Sequence, residues 1–205
     1  MPNINPMTSF VTGPNGEYTR VAAVLHWVVA ALILANLLFG LTADAFPEDW
    51  IRPVIDLHKS IGLTVLGLVI PRILWRLSHP PPAFPASYSR LEKAAAHFAH
   101  GALYLLIVLM PVSGWLHDSA FKDAAAHPLR IFWVIPWFRI GAIEHLDPAT
   151  KERLHSVFFV LHAGAAFVLM GLLALHILGA LKHQFIDREP ELQRMRIGRR
   201  PRPRA

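Results

Sequence analysis

Apolar and polar residues along this chain are segregated into long blocks instead of alternating at a helical or strand period. Four apolar blocks, about 21–42, 57–77, 95–116 and 156–181, are each long enough to cross a hydrocarbon core, which takes about 20 residues of helix. The pattern predicts an all-α integral membrane protein, a four-helix bundle forming a single membrane domain over 1–205. Pro71 and Pro111 fall inside blocks, where neighbouring groups must satisfy the carbonyls they free. Residues 78–89 hold Pro80, Pro81, Pro82 and Pro85, which forbid helix and make a stiff link. Residues 117–153 form a longer loop. Its segment 131–138 is apolar but too short to span, and Trp133 and Trp137 suit a piece lying at the membrane interface.

Charge sets the expected orientation. Four spans put both termini on one side. Arg20, Arg72, Arg76, Arg90, Lys93, Lys182 and Arg188 flank the spans on that side. The opposite side mixes Arg52, Lys59, Lys122, Arg130, Arg139, Lys151 and Arg153 with many acids. The bias toward Lys and Arg predicts cytoplasmic termini. The net charge of +6 is concentrated at flanks and in the basic tail 190–205, with six arginines between Arg194 and Arg204. A tail facing anionic lipid accounts for this better than nucleic-acid binding does. Residues 1–17 lack a basic n-region before an apolar core, so the first block reads as a retained span, not a signal peptide.

The chemistry lies in the histidines. There are 12 histidines and no cysteine, which excludes thiolate haem ligation, iron–sulfur clusters and covalent c-type haem. Histidine within a span is rare and marks a functional site by default. His162 and His176 are 14 residues apart in the fourth block, about 21 Å along the axis and close to four turns, so they project from nearly one face. His26, near the start of the first block, matches the depth of His176. His58, near the start of the second, matches His162. Two level pairs, His26–His176 and His58–His162, suit two bis-histidine haem groups stacked across the bilayer. Zinc is disfavoured because each pair supplies two ligands with no acid or thiol nearby in the spans. The bland alternative for any one histidine is a hydrogen bond to a carbonyl on the next helix.

Several other residues join the candidate set. His155 lies seven residues before His162, near the same face, and competes with it; its place beside Glu152 and Arg153 favours His162. Arg72 and Arg76 share a face near the end of the second span. They either pair with propionates of the inner haem or snorkel to headgroups. His97 and His100, at the start of the third span, contact haem propionates or a quinone, or solvate a helix end. Lys182 and His183 close the fourth span where a quinone headgroup would find donors. His79, His117, His127 and His145 read as loop residues without a role.

Taken together, these motifs give the chain a resemblance to bacterial cytochrome b561, a four-helix di-haem family also related to the b-type subunits of nickel–iron hydrogenases. The resemblance runs from Tyr18 to about Arg188. It is carried by Tyr18-Thr19-Arg20 with Leu25-His26-Trp27, by Leu57-His58-Lys59 leading to Gly62, and by Pro71-Arg72 to Arg76-Leu77 with the proline run. Ala96-His97 with His100 and Tyr104, Pro111, Gly114-Trp115, the His162 and His176 pair, and Lys182-His183-Gln184-Phe185 complete it. It implies haem b ligands at His26, His58, His162 and His176, an inner-membrane location and quinone as a partner.

Two functions compete. One is a stand-alone carrier, such as a superoxide:quinone oxidoreductase, with Lys59 or Arg153 attracting the anion. The other is a membrane-anchor cytochrome b subunit of a larger dehydrogenase or hydrogenase, fed by a redox protein. A homodimer is an expected assembly for either. A colourless transporter with histidine proton relays is a third, weaker class.

Overall fold

The computed structural model describes residues 16–198; the leader reading for 1–15 and the tail arginines from Arg199 onward lie outside the described residues. Helix α1 spans Arg20–Thr42 and ends in a 3₁₀ turn, Ala43–Ala45. Helix α2 spans Glu48–Ser78 and α3 spans Arg90–Ser119. A hairpin of β1 (Arg130–Ile131) and β2 (Ile135–Pro136) and a short helix α4 (Gly141–Glu144) lead to α5, Pro148–Leu181. A π-helical turn, Lys182–Ile186, and a short α6, Glu191–Arg194, follow.

Local chemistry sets the helix starts. Thr19 Oγ1 accepts from the Ala22 N–H at 3.3 Å. Ser89 and Glu92 form a reciprocal capping box. Asp147 accepts from the Thr150 N–H, with Pro148 in the first turn. Each supplies an acceptor for an amide that the first turn leaves orphaned. Helices α3 and α5 overrun their apolar blocks because their caps, not hydropathy, set where they begin, whereas α2 starts after Pro47 without a side-chain cap. Helix α2 starts nine residues before 57 and α5 eight before 156.

All four long helices are apolar enough to cross a membrane. They bury little of that surface in one another: Leu34, Leu38, Ile70, Leu74, Phe98, Leu105, Val160, Phe167 and Leu175 are exposed on the outside of the bundle. Only a slender core, Val29, Ile33, Ile61, Val65, Val69, Leu106, Ile107 and Leu169, runs along the axis. Lipid is the solvent that makes such a surface favourable. Helix α1 packs on α2, α3 on α5, and α2 joins α3. Helix α5 stands off from α1 and α2, which leaves interior space between the two helix pairs.

The segment expected at the interface is a tight antiparallel hairpin, with Arg130 opposite Pro136 and Ile131 opposite Ile135. Phe132 and Trp133 turn it with positive φ of 49° and 61°, a conformation that costs a non-glycine residue about 1–2 kcal/mol. The hairpin is tied to the bundle. Ser60 Oγ donates to the Asp56 carbonyl at 2.7 Å and accepts from the Phe132 N–H at 2.9 Å.

Candidate functional site

The helix register places the histidines at two levels. His58 and His162 face each other with ring centroids 6.1 Å apart, and His26 faces His176 at 6.3 Å. Two imidazoles holding one metal atom from opposite sides at about 2 Å keep their centroids roughly 6 Å apart, so both separations suit a bis-histidine centre. His58 and His162 are nearer the long-loop end of the bundle, and His26 and His176 nearer the end that carries the chain termini.

The long-loop pair is fully oriented. His58 Nδ1 donates to the Asn36 carbonyl at 2.9 Å, which leaves the Nε2 lone pair facing inward. Ser113 Oγ donates its own proton to the Met110 carbonyl at 2.9 Å, so it accepts from His162 Nδ1, also at 2.9 Å. His162 Nε2 is thereby left bare as well. Such partners fix the tautomer of a metal-binding imidazole. Both rings lie tight against glycines. A Cβ on Gly40 would come within 2.8 Å of His58 Cε1, and one on Gly114 within 3.2 Å of His162 Cε1. A cavity of about 720 Å³ opens between them, with Ile33, Leu37, Val65, Ile107 and Leu169 along its apolar part. Its size, its apolar wall and its two convergent bare nitrogens fit a large flat macrocycle such as haem.

The other pair differs in its partners. Arg72 Nη2 donates to His26 Nδ1 at 2.9 Å. A guanidinium can only donate, so this bond uses the His26 Nδ1 lone pair. Arg72 Nε and Nη1 are buried without partners among the described residues. Arg72 and Arg76 both lie over the Tyr104 ring, at 5.4 and 5.2 Å. The adjoining cleft, lined by Tyr18, Arg72, Trp75, Arg76, Tyr104 and Met195 among others, holds about 30 Å³. The ring spacing fits a haem here, and two unpaired Arg72 nitrogens fit a carboxylate. The Arg72–His26 bond would have to be exchanged on binding.

His97 and His100 part company. His100 turns inward, with its ring centroid 5.4 Å from that of His176. His97 is exposed, bonds the Lys93 carbonyl through Nδ1 and meets Phe84 edge-on. His183 stacks on Tyr88 at 4.1 Å, and its Nδ1 lies 2.6 Å from Asp187. Lys182 bridges Glu92 at 2.6 Å and Asp187 at 2.8 Å. Its ammonium, bonded to Asp187, holds that carboxyl below its usual range. Burial, and then the bond to Glu191, push the Tyr88 phenol up.

Two sequence expectations need correction. His117 is not in a loop: α3 continues to Ser119, and His117 lines the cavity stacked on His155. Lys59 is not a free cation for an incoming anion, because it is paired with Asp118 at 2.7 Å and Asp56 at 3.4 Å. The buried Asp118–Arg139 pair was missed altogether. Arg139 bonds Asp118 and the carbonyls of Ala124 and His127, folding the long loop over the bundle end. No local pattern links a loop arginine to an aspartate 21 residues earlier.

Residues 17–198 match the model of a family described as prokaryotic cytochrome b561. The chain is 34% identical over 190 residues to cytochrome b561 homolog 2 of Escherichia coli K12, covering 91% of this chain and 94% of that protein. It is 29% identical over 185 residues to cytochrome b562 of Cereibacter sphaeroides, covering 87% and 94%. It is 24% identical over 188 residues to a Yersinia pestis protein named probable superoxide oxidase CybB, covering 87% and 95%.

Proposed function

The chain belongs to the prokaryotic cytochrome b561 family, a membrane b-type cytochrome and multi-pass protein of the bacterial inner membrane, and on that premise we propose that it carries electrons from a donor at its long-loop end to quinone at its terminal end. Bound haem b supplies the one-electron redox couple. The observation that carries the reading is the two facing histidine pairs, at 6.1 and 6.3 Å, on successive levels of one bundle.

In this reading His58 and His162 hold one haem and His26 and His176 the other. Two imidazoles leave no open position for a substrate at the iron, which favours electron transfer over catalysis at the metal. Asn36 and Ser113 orient the first pair. Arg72, with its unpaired nitrogens, and Arg76 take the propionates of the second haem, and His100 lies beside His176. With cytoplasmic termini, the Lys182 and His183 end meets quinone on the inner side. His183, bonded to Asp187, is placed to pass protons to a reduced quinone.

The name of the Yersinia pestis relative supports superoxide as donor. Two superoxide anions would each lose one electron to become dioxygen, and one quinone would take up two electrons and two protons. An anchor subunit of a dehydrogenase or hydrogenase is the competing donor arrangement.

The test is the purified chain in mild detergent. Oxidised and dithionite-reduced spectra, with haem assayed per chain, are expected to show two low-spin b haems. One should be lost in His58→Ala or His162→Ala and the other in His26→Ala or His176→Ala. A colourless protein, after expression with ample haem, sinks the reading. Reduction by generated superoxide, followed by quinone reduction, separates the stand-alone carrier from an anchor subunit, which would copurify with its catalytic partner.

A further inference from the structure

His117 and His155 lie face to face at the long-loop end of the cavity, with ring centroids 3.9 Å apart and planes inclined by 24°. Phe159 flanks His117 at 5.8 Å and Phe121 flanks His155 at 5.9 Å, so the two imidazoles sit inside an aromatic row. His155 Nδ1 donates to the His117 carbonyl at 3.1 Å. That bond ties the two helices together and leaves His155 Nε2 bare in the neutral ring. His117 Nε2 is buried and has no partner among the described residues. Both rings line the same cavity as His58 and His162.

A buried ring nitrogen without a partner is unfavourable, and the groups around it do not supply one. Asp118, the next residue, is committed to Lys59 and Arg139. The cavity is polar at this end, where Arg52, Lys59 and Asp118 line it, and apolar farther in. A haem has one edge with two propionate carboxylates, and that edge belongs at the polar end. Asn36 Oδ1 is also buried without a partner in this cavity, but an acceptor cannot hold a carboxylate.

We propose that His117 Nε2 donates a hydrogen bond to a propionate carboxylate of the haem held by His58 and His162, with His155 as the positioning residue that fixes the His117 ring. The proposal rests on that haem reading. It gives the long-loop haem an anchor at the polar end of the cavity, beside Arg52 and Lys59. A donor to an ionised carboxylate makes one of the stronger hydrogen bonds a protein can offer.

The test uses the full chain, purified with haem, and three variants: His117→Leu, His117→Gln and His155→Phe. The readouts are the rate at which each haem transfers to an apoprotein acceptor and the midpoint potentials of the two centres. In His117→Leu the low-spin spectrum and two haems per chain are retained. One haem is expected to leave roughly 10- to 100-fold faster, the usual worth of a charge-assisted hydrogen bond, and one potential shifts. His117→Gln, which keeps an N–H donor, restores most of the retention. His155→Phe keeps the stack but loses the carbonyl bond, and falls between. Should leucine prevent assembly, His117→Phe fills the ring's place and carries the same comparison. Wild-type release rates and potentials in the donor-less variants overturn the proposal. If that happens while His58→Ala still loses one haem, the anchor alone is wrong. If His58→Ala and His162→Ala keep both haems, the ligation reading fails first.

Discussion

Gly40 and Gly114 are the residues against which the long-loop histidines are set. The His58 ring is fixed by its bond to Asn36 and cannot retreat freely from a new methyl 2.8 Å away. Overpacking of this kind costs about 1–3 kcal/mol. Gly40→Ala is therefore expected to lower haem content by displacing His58, with a fall in thermal stability of that order. Gly114→Ala, at 3.2 Å from His162, should do less. Gly67→Ala, with nothing within 4 Å of the new atom, should match the wild type in both haem assay and thermal melt. Arg72 belongs to the same scale. Removing it by Arg72→Leu is expected to weaken retention of the haem between His26 and His176 while leaving the other, read as one destabilised haem in a transfer assay.

At the level of elements, each long helix carries more information in its ends than in its middle. The middles are apolar nearly all round, and α5 buries only Leu169 fully. The ends carry the caps and the points where loops attach. Two serines perform the same task at two places. Ser60 on α2 accepts from the Phe132 N–H. Ser119 on α3 donates to the Trp115 carbonyl at 2.7 Å and accepts from the Ile140 N–H at 3.0 Å. Both are almost fully buried. Alanine at either position leaves a backbone N–H without its acceptor, which costs about 1–3 kcal/mol. Ser60→Ala and Ser119→Ala should make the loop between α3 and α5 sensitive to limited proteolysis at protease levels that leave the wild type intact. The four long helices themselves should persist by circular dichroism.

For the whole molecule, the terminal end is closed by a set of bonds centred on Arg194. Arg194 donates to the Gly16 carbonyl at 3.1 Å, to the Ala83 carbonyl at 2.7 Å and to Glu191 at 3.1 Å. The Tyr18 N–H donates to the Arg194 carbonyl, and Trp27 Nε1 to the Met195 carbonyl at 2.9 Å. Tyr88 and Ser87 bond Glu191 and Glu189. The segment after α5 thus joins the chain before α1 to the link between α2 and α3. Arg194→Ala is expected to lower the melting temperature by the equivalent of about 1–3 kcal/mol, with the reduced and oxidised spectra unchanged. A change in the spectrum would mean that this end also shapes the haem sites.

Four blocks of apolar residues specify four spanning helices because lipid leaves an isolated backbone no other way to satisfy its hydrogen bonds. The offsets of His26, His58, His162 and His176 within those blocks also specify which rings share a depth, since an antiparallel bundle converts sequence position into height. That much was legible in the residues alone. The inward turn of His100 and outward turn of His97, the helical place of His117 and its stack on His155, and the neutralisation of Lys59 were not. Each depends on which face of an all-apolar helix meets a neighbour, or on a partner tens of residues away. Lipid-facing and core-facing positions share one composition, so periodicity cannot tell them apart. Tertiary packing alone decided those orientations, along with the clasp at Arg194 and the buried ion pairs of Asp118.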